Sequence, residues 1–369
     1  MSNLITLNLN QNNLEILSNN TFELLTNLRT LILGNNKKIE IHLKTFVGIE
    51  FLVSINLGGN RLDMIPLSIY NLNELRSFNF DNNQIRKIDK FSIRNFKLLT
   101  DFDIKHNLIS DIEPGSFQVH NSRLNRIYLS YNRLQNIKSG HFSNLSNLFS
   151  LFLDHNLISS IDGNSFQGSN NLNTIYLNDN CIFKIPARLF SSLRNLFFVY
   201  LNNNLIKHIS SNFFHSRIYL IELSLSNNRI ENFTIEKGHL TNINYLDLSA
   251  NYNLRVLNFG SSKIGKLNLN QNKIINSIVW PKDEGNTLRT IYLKQQSSAI
   301  SIPKNILENL FELDLSYISL ERNILYKKYL NSFNENVYDL NLRECQIKLH
   351  LNFSYNFPSI KNLDISFLN

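Results

Sequence analysis

The stretch that decides the fold runs from Leu148 to Ile158 and reads LFSLFLDHNLI. Leu151 and Leu153 stand two residues apart, so in an extended chain their side chains point to one side and the residue between them points to the other. Asn156 follows three residues later. Its amide carries two donor hydrogens and an acceptor oxygen, which can satisfy backbone groups where a chain turns. The stretch therefore predicts a short strand that ends in a turn built around Asn156.

The same spacing, L-x-x-L-x-L-x-x-N-x-L, recurs from one end of the chain to the other, and it begins with Leu4, Leu7, Leu9 and Asn12. The anchoring asparagine returns at intervals of 21 to 25 residues, at Asn12, Asn36, Asn60, Asn83, Asn107, Asn132, Asn156, Asn180, Asn204, Asn228, Asn251 and Asn272. Further along, the same slot holds Gln296, Ile318, Cys345 and Leu368. We therefore expect sixteen repeats in a single domain over residues 1–369, regular over 1–230 and degenerate over 231–369.

One such repeat cannot bury its apolar face, whereas stacked repeats bury a continuous core. We expect an α/β solenoid in which the strands form a parallel β-sheet on the concave face, while turns and short 3₁₀ segments form the convex face. The repeat also explains part of an unusual composition, 61 asparagines against three alanines. Twelve of these asparagines are anchors, and we expect them to form a hydrogen-bonded ladder inside the stack.

Two further positions recur in the repeats and predict a second apolar ladder in the core. An aromatic residue follows the anchor by ten positions, with Ile93 as the exception; the aromatics are Phe22, Phe46, Tyr70, Phe117, Phe142, Phe166, Phe190 and Phe214. An aliphatic residue follows the anchor by five positions, at Leu17, Ile41, Ile65, Ile88, Ile112, Ile137, Ile161, Ile185 and Ile209. Pro66 and Pro186 directly follow this second position, which fits turns that lack a continuous N–H ladder.

This repeat resembles that of the leucine-rich-repeat family, and the resemblance covers essentially the whole chain. The 24-residue period with its phenylalanine is similar to the typical subclass of animal extracellular and receptor proteins, such as those of the arthropod Toll and chaoptin type. The resemblance implies a horseshoe-shaped, non-enzymatic recognition module of an adhesion or receptor protein, with its ligand on the concave sheet. The identity of that ligand does not follow from a shared fold.

Charge and hydropathy limit the classes of partner. The chain has 37 Lys+Arg against 29 Asp+Glu, a formal net charge of +8, but the bases stand singly or in pairs such as Lys37-Lys38. A nucleic-acid-binding protein is expected to concentrate its bases on one stripe or arm, so the sequence argues against nucleic acid as a partner. The apolar runs fall far short of the ~18 residues of a membrane span, and a soluble chain without a span is expected.

The termini, cysteines and sequons leave two compartments open. The chain starts three residues before its first strand leucine, with neither a signal peptide nor a cysteine-rich cap, so we expect a piece of a longer protein that lacks its terminal caps. Cys181 and Cys345 lie seven repeats apart, too far to pair. Four N-x-S/T sequons, none on a predicted strand, are glycosylation candidates: Asn19, Asn144, Asn232 and Asn352. The first alternative is an extracellular or cell-surface protein, and the second is a cytoplasmic adaptor or scaffold.

No arrangement of residues predicts catalysis, a bound metal ion or a cofactor. The nine histidines are dispersed. His106 and His155 share the slot before the anchor but stand two repeats apart, roughly 10 Å, so they cannot share one metal ion and we expect them to be solvated. Around Trp280–Gly285 the repeat spacing is interrupted, either by drift in a distal repeat or by a functional insertion.

The outward positions of the strands carry the candidate partner-binding site. Four residues before the anchor, four consecutive repeats place an aromatic residue, and on adjacent strands these rings would form a column about 15 Å long. The column is Tyr128, Phe152, Tyr176 and Tyr200, and its flanking candidates are Tyr131, Arg133, Asp154, His155, Asp179 and Phe198. Exposed aromatics edged by arginine are typical of the energetic centre of a protein interface. The alternatives are ring stacking that only stabilises the sheet, or chance. The expected ligand is a protein or a glycan, and the oligomeric state stays open.

Overall fold

The computed structural model describes residues 3–37, 39–118, 123–210, 213–214, 219–235, 242–260, 262–281, 287–295, 300, 302–307, 310–314, 316, 339–341 and 361–364. The predicted anchor substitutes Gln296, Ile318, Cys345 and Leu368, together with the sequon residue Asn352, lie outside these residues. The chain divides into two compact units, the first formed by Met1–Cys181 with Ser192–Asn195 and the second by Ile182–Ser191 with Leu196–Asn369. Both units are solenoids of stacked repeats, and a single domain of sixteen repeats remains a prediction.

Within the described residues, the main sheet of the first unit consists of eight short parallel strands, each in register with the next one along the chain. The strands are Thr6–Asn8, Thr30–Ile32, Ser54–Asn56, Ser77–Asn79, Asp101–Asp103, Arg126–Tyr128, Ser150–Phe152 and Thr174–Tyr176. The central residue of each triplet, such as Ile127 or Leu151, points into the core. Its two neighbours point to the opposite side because side chains alternate along a strand. We call that second side the open face.

The anchoring asparagines form the predicted ladder. Asn156 Nδ2 donates to Leu153 O of its own repeat at 3.1 Å and to Leu129 O of the preceding repeat at 3.0 Å. Its Oδ1 accepts a hydrogen bond from Leu134 N at 3.0 Å. Eleven of the twelve anchors are buried, whereas Asn12 in the first repeat is exposed. An anchor thus satisfies backbone groups of two successive repeats, which no apolar residue in this slot could do.

The residue immediately before each anchor adopts the left-handed backbone conformation. In the first unit its φ lies between 48° and 72°, at Gln11, Asn35, Gly59, Asn82, His106, Tyr131, His155 and Asp179. Residues other than glycine adopt this conformation at a cost of roughly 1 kcal/mol. The repeat therefore imposes a sharp turn at the end of each strand whatever residue occupies the slot.

Short flanking strands, which the sequence did not predict, follow the main strands. In the first unit they pair as Ile16–Leu17 with Glu40–Ile41, Lys87–Ile88 with Asp111–Ile112, and Asn136–Ile137 with Ser160–Ile161. Their second residue is the aliphatic position that follows the anchor by five, and Leu17, Ile88 and Ile112 are buried there as predicted. A 3₁₀ helix over Leu67–Asn71 begins directly after Pro66, in agreement with the expected turns and 3₁₀ segments.

The predicted aromatic ladder fills the part of the core that lies away from the main sheet. Phe117 and Phe142, for example, are fully buried and stack with their ring centroids 5.6 Å apart. The assignment of Tyr70 to this ladder is wrong, because Ile69 is fully buried in that slot and Tyr70 is only half-buried. The anchors on either side of it are 23 residues apart, so the core position comes one residue earlier in this shorter repeat.

The second unit repeats this arrangement. Within its described residues the main strands are Phe198–Tyr200, Tyr219–Ser224, Asn242–Asp247, Lys263–Asn268, Thr290–Tyr292, Glu312–Asp314, Asp339–Asn341 and Asn362–Asp364. Its flanking strands are Lys184–Ile185, His208–Ile209, Asn232–Thr234, Val256–Asn258 and Ser277–Val279, and a short helix covers Lys304–Leu307. No helix in the described part of the chain is long and apolar enough to cross a membrane.

Candidate functional site on the open face

Three of the four predicted column residues form a continuous stack on the open face of the first unit. The rings of Tyr128 and Phe152 lie 4.6 Å apart with their planes 14° apart, and those of Phe152 and Tyr176 lie 4.7 Å apart with their planes 10° apart. The spacing equals that of neighbouring strands, because the three residues are register partners. We call Tyr128, Phe152 and Tyr176 the aromatic stack. Its residues are half-buried, so ring faces are used for stacking and ring edges meet solvent.

A lysine closes one end of the aromatic stack. Lys105 Nζ lies 5.4 Å from the centroid of the Tyr128 ring, a cation–π contact, and 3.3 Å from Asp103 Oδ2. Burial raises the pKa of the Asp103 carboxyl above its ordinary value; Lys105 opposes that rise and the nearby carboxylate of Asp81 adds to it. The lysine is therefore held by a carboxylate and a ring at once.

A second stack stands at the turns that follow the strands. Tyr131 is sandwiched between His106 and His155, with ring centroids 4.3 Å and 4.2 Å away and planes 15° and 11° apart. We call His106, Tyr131 and His155 the turn stack; it continues to Asp179, whose Oδ2 lies 3.6 Å from His155 Nε2. Tyr131 remains 46% exposed.

The sequence placed Tyr131 and His155 among the candidates but did not predict this sandwich, since it read the two histidines only as solvated. The available signal was the slot itself: His106, Tyr131 and His155 occupy the same position before the anchor in three consecutive repeats. Adjacent parallel strands bring equivalent positions to about 4.8 Å, which is a stacking distance for rings.

A row of polar residues lies between the two stacks. In each repeat one outward position stands between that of the aromatic stack and that of the turn stack: Ser130 lies between Tyr128 and Tyr131, and Asp154 and Asn178 hold the same position in the next two repeats. Ser130 Oγ donates to Asp154 Oδ1 at 2.6 Å. Asn178 Nδ2 donates to Asp179 Oδ2 at 2.7 Å, while Asn178 Oδ1 is buried without a hydrogen-bond partner within the described residues. We call Ser130, Asp154 and Asn178 the polar seam.

Two arginines flank the stacks. Arg126, beside Tyr128 on the same strand, places Nε 2.6 Å from Asp101 Oδ1 of the preceding repeat. The predicted candidate Arg133 follows the anchor Asn132 and is exposed. Within the described residues, Arg133 makes no ion pair and no cation–π contact, so its guanidinium is available to a partner.

The two remaining aromatic candidates belong to the second unit. Tyr200 is half-buried on its main sheet, and its hydroxyl donates to Glu222 Oε2 at 3.0 Å. Phe198 precedes it on the same strand and is the register partner of Glu222. Further along this sheet the Tyr292 hydroxyl donates to Glu312 Oε2 at 3.1 Å; burial and the Glu312 charge raise the pKa of Tyr292 to about 12. The Tyr292 phenol is therefore a protonated hydrogen-bond donor at neutral pH.

Three of the four sequon asparagines can be placed. Asn19, Asn144 and Asn232 are all exposed. Asn232 begins the flanking strand Asn232–Thr234, so it lies on a strand after all, but on one outside the main sheet. None of the three interferes with the open face.

A metal site or a cavity near the two stacks would be a second kind of candidate site. Within the described residues, no three His, Cys, Asp or Glu side chains come together as a metal site. A wide groove of about 1130 Å³ lies beside the first repeats, where Ile16, Leu43 and Met64 line it. The residues that line it come from the first repeats, including the flanking strands Ile16–Leu17 and Glu40–Ile41, and none of them belongs to either stack.

The comparisons with protein families identify the repeat. A leucine rich repeat model matches residues 122–182 and 150–206, and a model of the BspA type leucine rich repeat region, which describes six copies, matches residues 1–122. The two models together cover residues 1–206, more than half of the 369 residues. The chain belongs to the leucine-rich repeat family.

Relatives match parts of the chain. Transforming growth factor beta activator LRRC33 of Danio rerio is 30% identical over 112 residues, which cover 29% of this chain and 16% of that protein. Keratocan of Gallus gallus is 33% identical over 135 residues, which cover 36% of this chain and 37% of keratocan. The chain thus spans well under half the length of these relatives.

Solved structures share the fold over most of the chain. The TLR13-ssRNA13 complex matches with a TM-score of 0.69 and 20% identity, covering 91% of this chain and 54% of that one. The Toll - Spatzle complex matches with a TM-score of 0.58 and 23% identity, covering 92% of this chain and 41% of that one. Because a protein of this fold is found in complex with ssRNA13, the exclusion of nucleic acid that the composition suggested is not supported by the fold.

Proposed function

We propose that this chain is a non-enzymatic recognition module that binds a protein partner on the open face of the first unit. The contact residues in this proposal are the aromatic stack, the turn stack, Arg133, Asp154 and Asp179. The observation that carries it is the pair of ring stacks standing side by side with their edges in solvent. Grouped, partly exposed aromatic residues are the usual energetic centre of a protein interface.

The rigidity of the face supports the proposal. Each buried anchor ties the backbone of its own repeat to that of the preceding repeat, and every ring of the two stacks packs against a neighbouring ring. Ordering loose side chains costs about 0.5–1.5 kcal/mol for each one immobilised on binding. A face whose rings are already fixed avoids most of that cost, so a larger share of the contact energy appears as affinity.

The geometry favours a protein over a glycan as the ligand. A sugar ring packs on the flat face of an aromatic ring, and both faces of Phe152 and of Tyr131 are covered by their neighbours. What these residues offer is a row of ring edges, with the polar seam between the rows. Apolar side chains and backbone amides of a polypeptide fit such a surface. Protein recognition also accords with the names of one relative, a transforming growth factor beta activator, and of the Toll - Spatzle complex.

The test of this proposal uses random peptides displayed on phage and selected against the wild-type chain. Selected peptides are then measured against a variant that carries Tyr128→Ala, Phe152→Ala and Tyr176→Ala. We expect the dissociation constant to rise at least about thirtyfold, since central interface residues each contribute about 2 kcal/mol or more. Unchanged affinity for all selected peptides would refute the site.

Two further variants serve as controls. Phe91→Ala removes a ring that is 56% exposed but lies off the main sheet, and it should leave affinity within a factor of two or so. Tyr200→Ala measures whether the aromatic position of the second unit contributes, and any effect should be smaller than that of the triple variant. Circular dichroism before each measurement verifies that the variants are folded.

An extracellular or cell-surface location is part of the same proposal. The 24-residue repeat with its phenylalanine is similar to that of extracellular receptors, and three of the four sequons are exposed. The second candidate is a cytoplasmic adaptor or scaffold. Secretion from cultured animal cells behind an added signal peptide, followed by mass spectrometry of glycopeptides at Asn19, Asn144, Asn232 and Asn352, distinguishes the two.

Glycans on these sites would support the extracellular proposal, and unmodified sequons on a folded, secreted chain would favour the adaptor. Thr21→Ala removes the first sequon while leaving Asn19 in place, so it provides the matched control for that site. The loss of modification at Asn19 in this variant, with the other sites unchanged, verifies the mapping.

A further inference from the structure

The open face of the first unit has a charge opposite in sign to that of the whole chain. The chain carries a net charge of +8. The outward positions of this unit's main strands, up to the residue before each anchor, nevertheless hold five carboxylates, Asp81, Asp101, Asp103, Asp154 and Asp179, and two cations, Lys105 and Arg126. Arg133 follows its anchor directly, and with it the face still has more carboxylates than cations. The excess bases of the chain therefore lie outside these outward positions.

Lys105 and Arg126 are both already paired. Arg126 Nε lies 2.6 Å from Asp101 Oδ1, and Lys105 Nζ lies 3.3 Å from Asp103 Oδ2 while it also covers the Tyr128 ring. Neither is left to neutralise Asp81 or Asp154. Within the described residues, no lysine or arginine nitrogen lies within 4 Å of either carboxylate.

Asp154 and Asp81 keep unused hydrogen-bond acceptor capacity. Asp154 lies half-buried in the polar seam, and its only side-chain hydrogen bond in the described structure comes from Ser130 Oγ at 2.6 Å. Asp81 Oδ2 accepts from Asn82 Nδ2 at 2.9 Å, whereas Asp81 Oδ1 is buried without a partner.

From this complementarity we infer that the partner presents a basic segment to the open face of repeats four to eight. The inference rests on the proposed function and specifies the chemistry of the partner. Arginine or lysine side chains of an extended segment would reach Asp81 and Asp154 with charge-assisted hydrogen bonds. Their apolar stems would pack along the ring edges of Tyr131 and Phe152, as the long stems of basic residues do on apolar surfaces. Acidic peptides and nucleic acids, whose charges would meet five carboxylates, are disfavoured on this face.

The test measures the binding of a blocked hexa-arginine peptide by fluorescence anisotropy at low ionic strength. Asp154→Asn and Asp81→Asn each remove one charge with little change of shape, and Asp154→Asn keeps an oxygen for Ser130. We expect each variant to weaken hexa-arginine binding by about three- to tenfold, and the effect to shrink as salt is added. Asp162→Asn is the matched control: Asp162 is exposed and lies off the main sheet, so the same loss of charge there should change binding less than twofold or so.

The phage-selected peptides separate the failure of this inference from that of the proposed function. Peptides that are rich in arginine or lysine, depend on the three rings of the aromatic stack and lose affinity in Asp154→Asn support both. Ring-dependent peptides that are neutral or acidic, or that Asp154→Asn and Asp81→Asn leave unaffected, overturn the basic partner and leave the proposed function standing. Peptides indifferent to the rings overturn the proposed function itself. A single-stranded RNA probe that binds more tightly to Asp154→Asn than to Asp162→Asn would also overturn the inference, because it would place the RNA on this face.

Discussion

Repeats one to four and repeats five to eight of the first unit share one backbone but present different surfaces. In both, the strands are in register, each buried anchor bonds to its own repeat and to the preceding one, and the residue before the anchor has a positive φ. Over the first four, the open face is small and polar: Asn56 Oδ1 accepts from Gly58 N at 2.9 Å, and Asn35 Nδ2 donates to Asn10 Oδ1 at 3.4 Å. Over the next four, the same positions hold the two ring stacks.

The difference shows that the repeat fixes the backbone and leaves the outward positions free. In the earlier repeats, asparagine amides fold over glycines; a Cβ on Gly34 would come within 2.7 Å of Asn10 Oδ1. In the later repeats, Tyr131 occupies the slot that holds Gly59 in repeat three, at a similar φ. The left-handed conformation costs tyrosine roughly 1 kcal/mol, and stacking on two histidines, about 0.5–1.5 kcal/mol for each ring pair, offsets that cost.

The largest expected effect tests what the two regions have in common. Asn156→Ala removes the partner of Leu129 O, Leu153 O and Leu134 N, and it should lower the free energy of unfolding by about 3–5 kcal/mol. Asn60→Ala, in the polar region, should cost a similar amount because its bonds to Leu33 O and Leu57 O are equivalent. Urea denaturation measures both, with the exposed Asn170→Ala as the control. A cost confined to one region would contradict a common scaffold.

The next largest effect concerns the outward residues in which the two regions differ. The triple variant Tyr128→Ala, Phe152→Ala and Tyr176→Ala loses two stacked ring pairs, so the free energy of unfolding should fall by about 1–3 kcal/mol. The equivalent positions of the polar region include Asn56 and Asn79, and Asn79→Ala should cost about 1 kcal/mol through the lost bond to Asp81 N. Thermal or urea unfolding compares the two variants. Equal stability of the wild type and the triple variant would mean that the stack serves binding alone.

A smaller effect is expected from substitutions at the residue before the anchor, which has a left-handed backbone conformation. Tyr131→Gly and Tyr131→Ala both lose the histidine contacts, but only alanine retains the strain of a positive φ. We therefore expect the glycine variant to be the more stable by about 1 kcal/mol, opposite to the order at ordinary positions. Gly59→Ala, in the polar region, should be destabilising by at least that amount, because its Cβ would also collide with Asn35 Oδ1. Alanine as the better residue at position 131 would show that the turn is not imposed by the repeat.

The smallest effect concerns the boundary between the regions. NMR titration should find the Asp103 pKa above its ordinary value; Asp81→Asn should lower it and Lys105→Met should raise it further. Since the folded pKa is raised, the unfolded chain ionises first as pH rises. The stability that this group contributes is present below its ordinary pKa and is lost as pH increases through the raised value. If neither substitution changed the Asp103 pKa, the proximity of the three charges would be contradicted.

The sequence predicted the scaffold well because its determinants are local and repeated. A strand leucine, an anchor and a turn lie within a dozen residues, and each copy supplies independent evidence for the same geometry. The sequence could predict the aromatic stack for the same reason, since equivalent positions on adjacent strands must be neighbours. Its predicted fourth member, Tyr200, stands at the corresponding position of the second unit, where its hydroxyl donates to Glu222.

The sequence did not predict other features correctly, because these depend on how side chains and strands of successive repeats are placed against one another. The pattern assigned Tyr70 to the core, but the shorter repeat puts Ile69 there. The sandwich of Tyr131 by His106 and His155 requires the positive φ of the turn, which no residue type at that slot signals. The flanking strands likewise arise from the pairing of successive repeats and not from any pattern of their own.

The sequence by itself determined the family, the period, the buried leucines and the asparagine ladder, because a single apolar strand with one amide anchor can be satisfied only by stacking on copies of itself. The tertiary structure alone decided which outward residues touch. It converted a list of aromatic and charged positions into two ring stacks, a polar seam and a set of paired and unpaired carboxylates. The physical reason is distance: strands about 4.8 Å apart bring side chains from separate repeats into contact, and the rotamers and charges of those neighbours settle which contacts form.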